Sequence, residues 1–120
     1  GFTPERRKEA GRQFIDMGIA EEQAVAMASA IAAGGGKPVF GVYSTFIQRA
    51  YDQLSQDLCI NNNPALILVF WGSLSSMNDV THLCLFDIPV IGNIPNMVYL
   101  APTCFKSIFL STMCTKESFA

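Results

Sequence analysis

The chain carries GIAEEQA at residues 18–24 and KPVFGVYSTFIQRAYDQ at residues 37–53, and in both stretches an extended segment gives way to a helix. The first stretch places Glu21 where its helix begins. The second ends a strand at Tyr43 and opens a helix that carries Phe46. Repeated strand-to-helix turns are typical of a mostly parallel sheet with helices on its faces. The two stretches therefore predict an α/β fold.

The remaining elements follow from composition and periodicity. Alanine-rich residues 20–33 predict a helix that is buried nearly all round and ends at Gly34-Gly35-Gly36. Apolar residues 65–70 have the length and composition of a central parallel strand. The predicted strands are 14–17, 39–43, 65–70 and 96–101; residues 72–79 are a predicted loop, 81–86 and 104–114 predicted helices, and 88–95 an irregular segment.

The helix after Tyr43 is predicted from a cap and a stripe. Ser44 or Thr45 can cap it by accepting a backbone N–H bond. The apolar residues that fall on one face are Ile47, Ala50, Tyr51, Leu54 and Leu58. We expect this face to pack on the sheet.

Several polar and aromatic residues follow predicted strand ends. In parallel sheets ligands bind beyond the carboxyl ends of the strands. The residues that we expect at this rim are Glu21, Tyr43, Phe46, Trp71 and, on a loop, His82. This argument places the candidate site without reference to any family.

Composition indicates one domain, residues 1–120, that is partly covered by something else. Half of the residues are hydrophobic and only 15% are charged, with a formal net charge of −2. A partner domain or a second subunit would explain so few charges. The chain is not basic enough to predict nucleic-acid binding, and its longest apolar run, residues 65–71, is too short to span a membrane.

Cysteine and histidine usage argues against a metal site. Four cysteines occur without a C-x-x-C pair, and there is one histidine. We expect the thiols to pack as small apolar groups. A disulfide between two of them is the alternative. No metal ligand is predicted in this chain.

Taken one at a time, the rim residues also have ordinary explanations. Glu21 can be a charge that interacts with the helix dipole, as can its neighbour Glu22. Phe46 can be a core residue and Arg49 a solvated helix charge. A single histidine such as His82 is more often structural than catalytic.

As a set, these motifs resemble the pyrimidine-binding domain of the transketolase-like thiamine diphosphate enzymes, above all of the 1-deoxy-D-xylulose-5-phosphate synthases. The likeness runs from about residue 2 to residue 102, and is strongest over 34–52 and 94–102. It implies a three-layer α/β sandwich with a mostly parallel central sheet. It also implies thiamine diphosphate as cofactor.

The resemblance gives the rim residues roles. It implies that Glu21 hydrogen-bonds N1′ of the cofactor's aminopyrimidine, which helps to remove the C2 proton of the thiazolium ring. It implies that Phe46 stacks on the pyrimidine and that Arg49 supports the cofactor site. Tyr43 and His82 would face the substrate, with His82 also catalytic. Asp79 or Asn78 would lie beside His82, and Asp79 is the one that we expect on the substrate side.

The chain also departs from the family pattern. Gln23 stands where many members have histidine, and Cys84 replaces a usual glycine. Trp71 occupies a position where many synthases carry an arginine that helps to hold the substrate phosphate, and tryptophan cannot supply that charge. No Gly-Asp-Gly motif for holding the diphosphate through Mg²⁺ occurs in the chain. We therefore expect Mg²⁺ to be held by a domain absent from this chain.

Three functional hypotheses follow. The first is one domain of a longer cytoplasmic, homodimeric synthase that joins pyruvate and glyceraldehyde 3-phosphate with loss of CO₂, in isoprenoid precursor synthesis; the isolated fragment would be inactive. The second is another transketolase-like transferase. The third is a degenerate, non-catalytic fragment that keeps only a dimerisation surface.

Overall fold

The computed structural model describes residues 3–71, 82 and 86–103, and for Asp87 only the backbone. The elements of this part are α1 (Pro4–Ala10), α2 (Glu21–Ala33), β1 (Val39–Tyr43), α3 (Ser44–Ile47), α4 (Tyr51–Gln53), β2 (Leu66–Phe70) and α5 (Asp87–Ile91). Short 3-10 turns span Gly11–Gln13 and Gln48–Ala50, and a π-helical segment spans Leu54–Ile60. The predicted loop 72–79, the tail helix 104–114 and nearly all of the helix predicted over 81–86 lie outside the described residues.

The two strands are parallel neighbours. They pair from Val39 beside Leu66 to Tyr43 beside Phe70. Parallel strands need a long crossover, and here residues 44–65 provide it, helical from Ser44 to Ile60. The mixed helix–strand architecture with a small parallel sheet confirms the predicted α/β class.

The core lies between the sheet, α2, the helical crossover and the segment around α5. Its fully or nearly fully buried members are Val25, Val42, Ile47, Ala50, Leu54, Leu58, Cys59, Ile91 and Ile94. The predicted stripe of the crossover is confirmed except at Tyr51. That side chain is exposed, and its hydroxyl donates to Asn93 Oδ1 over 2.9 Å.

Helix α2 buries one face rather than its whole circumference. Ala24, Val25, Ala28, Ser29 and Ala32 are buried, spaced as one side of a helix. The prediction of a helix buried nearly all round is wrong, because the other side, with Gln23, Ala30, Ile31 and Ala33, is exposed. An alanine-rich helix is apolar on every face, so its sequence does not show which face packs against the core. The helix ends as predicted at the glycines: Gly35 has φ +82°, and Gly36 N–H donates to Ile31 O over 2.8 Å.

The predicted cap of the second helix is also wrong. Tyr43 is the N-cap and makes no side-chain capping bond. Ser44 is already the first helical residue, and its hydroxyl is fully buried. Within the described residues this hydroxyl has no hydrogen-bond partner. Because β1 runs directly into the helix, its last residue, Tyr43, takes the N-cap position, and a tyrosine side chain does not cap.

A polar network closes the other end of the crossover. The carbonyl of Asp57 accepts from Ser29 Oγ at 2.6 Å, Asn61 Nδ2 at 3.2 Å and Asn63 Nδ2 at 3.4 Å. Asn63 Nδ2 also donates to Ser29 Oγ over 2.8 Å. Carbonyls at helix ends lack intrahelical donors, so side chains satisfy them here. The network joins α2 to the π-helical segment.

Two predicted strands and one predicted irregular segment differ in the structure. Residues 14–17 and 96–101 form no strand, and α5 occupies part of 88–95. Asn96 has φ +64°, and its Nδ2 lies 3.4 Å from the Cys59 carbonyl, to which it donates. A left-handed residue tied to the crossover cannot begin an extended ladder. A largely apolar cleft of about 440 Å³ separates residues 97–100 from β2.

The network around Ser29 generates a stability prediction. Ser29→Ala should lower the free energy of unfolding by about 1–2 kcal/mol, because it removes a buried donor from the Asp57 carbonyl and an acceptor from Asn63. Urea titration followed by circular dichroism measures the change. The matched control is Ser55→Ala, whose exposed hydroxyl bonds only to the Asp52 carbonyl and whose loss should cost less than about 0.5 kcal/mol. Equal losses in the two variants would contradict this account of the network.

Candidate functional site

A small cavity lies where the 17–24 turn meets the end of β1. Its volume is about 240 Å³. It is lined by Met17, Gly18, Ile19, Ala20, Glu21, Ala24, Phe40, Gly41, Val42, Tyr43 and Phe46. We call it the Glu21 pocket. The apolar cleft beside β2 is larger, but its only titratable lining groups are Cys59 and Tyr99. Burial raises the pKa of the Cys59 thiol, which makes it a poor nucleophile. The chemistry therefore points to the smaller cavity.

Glu21 is a buried carboxylate at the first residue of α2. The residue is only 9% exposed, and its Oε2 has no hydrogen-bond partner in the part of the chain that the structure describes. Arg49 Nη1 lies 3.5 Å from Oε2, which makes an ion pair but not a hydrogen bond. A buried acceptor left unsatisfied costs about 1–3 kcal/mol. This oxygen is suited to accept a hydrogen bond from a bound molecule.

Aromatic rings surround the mouth of the Glu21 pocket. The Tyr43 ring makes an edge contact with Phe46, with centroids 6.2 Å apart, and a second with Phe70 at 6.4 Å. Trp71 lies closer, 4.8 Å from Tyr43 at an interplanar angle of 32°. His82 meets Phe46 edge to face at 5.5 Å. We call these five side chains the rim cluster.

The sheet register explains how the rim cluster assembles. Tyr43 ends β1 and Phe70 ends β2, and the two are paired. The next residues, Ser44 and Trp71, therefore leave the sheet at the same edge. Trp71 has φ +59°, a left-handed conformation that costs a bulky residue about 1–2 kcal/mol. Strained conformations of this kind are concentrated at functional sites.

The structure brings together most of the residues that the sequence analysis singled out. Glu21, Tyr43 and Phe46 line one pocket, and Arg49 lies against Glu21. His82 contacts Phe46 edge to face and so lies beside the same pocket. Asp79, the remaining candidate, lies outside the described residues, as does Cys84.

Gly41 is a lining residue that the sequence analysis did not single out. A Cβ added to Gly41 would lie 3.0 Å from Cε2 of Phe70, so this strand position leaves little room for a side chain. Glycine inside a strand often marks such a close approach, and that signal could have identified Gly41. Trp71 was predicted at the rim, but its contact with the Tyr43 ring was not predicted.

The described residues hold no cluster of three or more His, Cys, Asp or Glu side chains that could bind a metal ion. In the same part of the chain, no helix is long and apolar enough to cross a bilayer.

Comparison with known proteins identifies a matching family and close relatives. The family model described as "Transketolase, pyrimidine binding domain" matches residues 2–109. A 1-deoxy-D-xylulose-5-phosphate synthase of Clostridium acetobutylicum is 40% identical over 90% of this chain and 18% of its own length. Synthases of the same name from Clostridium perfringens and Haemophilus influenzae are 46% and 37% identical, over 85% and 98% of this chain and 16% and 21% of their own lengths.

These relatives are much longer than the chain. The aligned parts make up between 16% and 21% of their lengths. The chain thus spans about a fifth of the curated relatives that it matches.

The unsatisfied carboxylate of Glu21 generates a stability prediction. Glu21→Gln should leave the free energy of unfolding unchanged or raise it by up to about 1 kcal/mol, because a buried charge without a full set of hydrogen bonds is removed. Its neighbour Glu22 shares the first turn of the helix and serves as the control. Glu22→Gln should lower stability by about 0.3 kcal/mol through loss of the dipole interaction. A loss above about 1 kcal/mol in Glu21→Gln, measured by urea titration, would make Glu21 a structural residue.

Proposed function

This chain belongs to the family of transketolase pyrimidine-binding domains, and we propose that it forms the pyrimidine-binding part of a thiamine diphosphate site in a 1-deoxy-D-xylulose-5-phosphate synthase. The observation that carries the proposal is the buried Oε2 of Glu21, which lacks a hydrogen bond within the described residues and lines a pocket with Phe46. Relatives at 37–46% identity carry the name of this synthase. Their names apply to whole enzymes, so activity, substrates and partners are part of the proposal.

The residues of the Glu21 pocket fit an aminopyrimidine. A flat heterocycle with one protonated ring nitrogen needs a carboxylate at its edge and an apolar surface against its face. Glu21 on α2 offers the carboxylate, and Phe46 on α3 offers the aromatic surface. Strand β1 lies between these two helices in the chain. Offset stacking on such a ring contributes about 0.5–1.5 kcal/mol beyond burial.

Arg49 keeps the Glu21 carboxylate in place. Its guanidinium lies 3.5 Å from Oε2 and is itself half exposed. The ion pair holds the carboxylate at the pocket, while Oε2 keeps its capacity to accept a hydrogen bond. In the proposed role Glu21 would share a proton with N1′ and, through the conjugated ring, would promote proton transfer at the amino group on the opposite side of the pyrimidine. Thiamine diphosphate, when bound, supplies an acidic thiazolium carbon that adds to 2-oxo acids.

The substrate side of the site is assigned to three side chains. Tyr43 lies at the pocket mouth, 44% exposed. His82 lies beyond Phe46, and imidazole can act as a proton donor or acceptor, which suits proton transfer to a reacting oxygen or carbon. Asp79 is proposed beside His82 from the family resemblance alone.

The rest of the proposed enzyme lies outside this chain. A diphosphate needs a metal or basic clamp, which we assign to Mg²⁺ on another domain. We propose that the complete protein is a cytoplasmic homodimer that uses pyruvate and glyceraldehyde 3-phosphate. The low charged fraction of 15% supports contact with a second domain or subunit.

The role of Glu21 can be tested directly on the bound cofactor. In the complete enzyme, Glu21→Gln should slow exchange of the cofactor C2 proton with solvent deuterium by at least about 100-fold, the usual size of a lost acid–base partner. Nuclear magnetic resonance of quenched samples measures the exchange rate. Glu22→Gln, one residue further along the same helix turn, should exchange like the unmodified protein. Equal rates in Glu21→Gln and the unmodified protein would remove Glu21 from the mechanism.

The proposed reaction can be tested by turnover. We expect the complete enzyme to release CO₂ from pyruvate in the presence of glyceraldehyde 3-phosphate, thiamine diphosphate and Mg²⁺. Coupled detection of CO₂ and of the ketose phosphate product measures it. Turnover with ketose phosphate donors and none with pyruvate would contradict the synthase assignment while leaving the cofactor site intact.

A further inference from the structure

We propose that Trp71 is a positioning residue, which holds the ring of Tyr43 at the mouth of the Glu21 pocket and thereby sets the affinity for the small 2-oxo acid substrate. The proposal rests on the proposed function for the identity of that substrate, pyruvate. Its structural part, the ring pair, does not depend on it. Trp71 does not line the pocket itself, whereas Tyr43 does. Trp71 can therefore affect binding through its contact with Tyr43.

The ring contacts single out Trp71 among the neighbours of Tyr43. Phe46 and Phe70 meet Tyr43 at centroid distances of 6.2 and 6.4 Å, at steep angles of 63° and 65°. Trp71 lies 4.8 Å away with its ring tilted by only 32°. This is the closest and flattest of the three contacts. It therefore restricts rotation of the Tyr43 ring more than either edge contact does.

The backbone of Trp71 supports the same conclusion. Its φ of +59° is a conformation that glycine adopts freely and a bulky L-residue rarely does. Trp71 is also 66% exposed, so burial of its side chain does not explain why its backbone is held in a strained conformation. The strained backbone angle places the indole against the ring of Tyr43. In the proposed role this contact orients Tyr43, which lines the Glu21 pocket.

The depth of each residue explains why we assign the effect to substrate rather than cofactor. Glu21, the proposed contact of the pyrimidine, is 9% exposed, while Tyr43 is 44% exposed. Tyr43 is thus at the mouth of the pocket, where a second, smaller molecule would arrive. Displacing its ring should change the binding of that molecule and leave the contacts of Glu21 and Phe46 in place.

The kinetic test uses the complete enzyme. Trp71→Leu should raise KM for pyruvate about five- to tenfold, the range expected from loss of one oriented aromatic contact. The value of kcat and the thiamine diphosphate dissociation constant should change less than about twofold. Trp71→Phe, which keeps a ring, should restore KM to within about twofold of the original value. The control Tyr99→Leu removes a partly exposed aromatic ring that does not line the Glu21 pocket and should not change KM.

A double mutant shows whether Trp71 acts through Tyr43. If it does, Tyr43→Leu combined with Trp71→Leu should raise KM no further than Tyr43→Leu alone. If the rise in KM in the double mutant equals the product of the two single rises, the two residues act independently, which overturns the positioning role. A rise in the cofactor dissociation constant equal to the rise in KM would overturn it as well.

A second readout is independent of activity. This chain has one tryptophan, so 5-fluorotryptophan labelling gives one ¹⁹F signal from it, assigned in the complete enzyme by its loss in Trp71→Phe. Tyr43→Leu should shift that signal, because the Tyr43 ring lies against the indole. Tyr99→Leu should leave it in place. An unmoved signal in Tyr43→Leu would overturn the ring pair.

The two readouts keep the proposals apart. Absence of pyruvate turnover in the unmodified enzyme would contradict the proposed function, and the ¹⁹F comparison would still decide whether Trp71 holds Tyr43. Normal turnover with an unmoved ¹⁹F signal would contradict only the positioning role.

Discussion

The parallel register of β1 and β2 is the constraint on which the rest of the structure depends. Because Tyr43 is paired with Phe70, both strands end at one edge, and the chain leaves that edge twice within a few ångströms. The first exit becomes the helix that carries Phe46 and Arg49. The second exit is Trp71. A shift of one residue in this pairing would move every side chain of one strand to the opposite face and separate the rings of the rim cluster.

The parts of the fold that could be predicted from sequence are those whose signals are local. β1 and β2 are apolar, β-branched runs bounded by turn residues, and α2 is alanine-rich and ends at three glycines. The predicted strands at 14–17 and 96–101 failed because a strand also needs a neighbour in hydrogen-bonding range. At Asn96 a side-chain bond to the Cys59 carbonyl favours a turn instead, and no local pattern reveals that distant partner.

The candidate site was more predictable than the fold details around it. Tyr43 ends β1 and Phe46 follows it, and topology sends such residues to one rim. Glu21 reaches the same rim from a turn, although the strand predicted before it does not form. The pairing of Arg49 with Glu21 could not be derived, because it joins residues 28 positions apart on different helices. Nor could the stacking of Trp71 on Tyr43, which depends on one left-handed backbone angle.

The π-helical segment Leu54–Ile60 divides the crossover into two parts with different constraints. A π-helix closes each turn over one residue more than an α-helix, so this segment is wound differently from the turns before it. It lies at the end of the crossover where Asn61 and Asn63 donate to the Asp57 carbonyl. Phe46 lies in the first turn after β1, with residues 48–53 between it and the segment. A local change of winding in the π-helical segment would therefore leave Phe46 where the end of β1 fixes it.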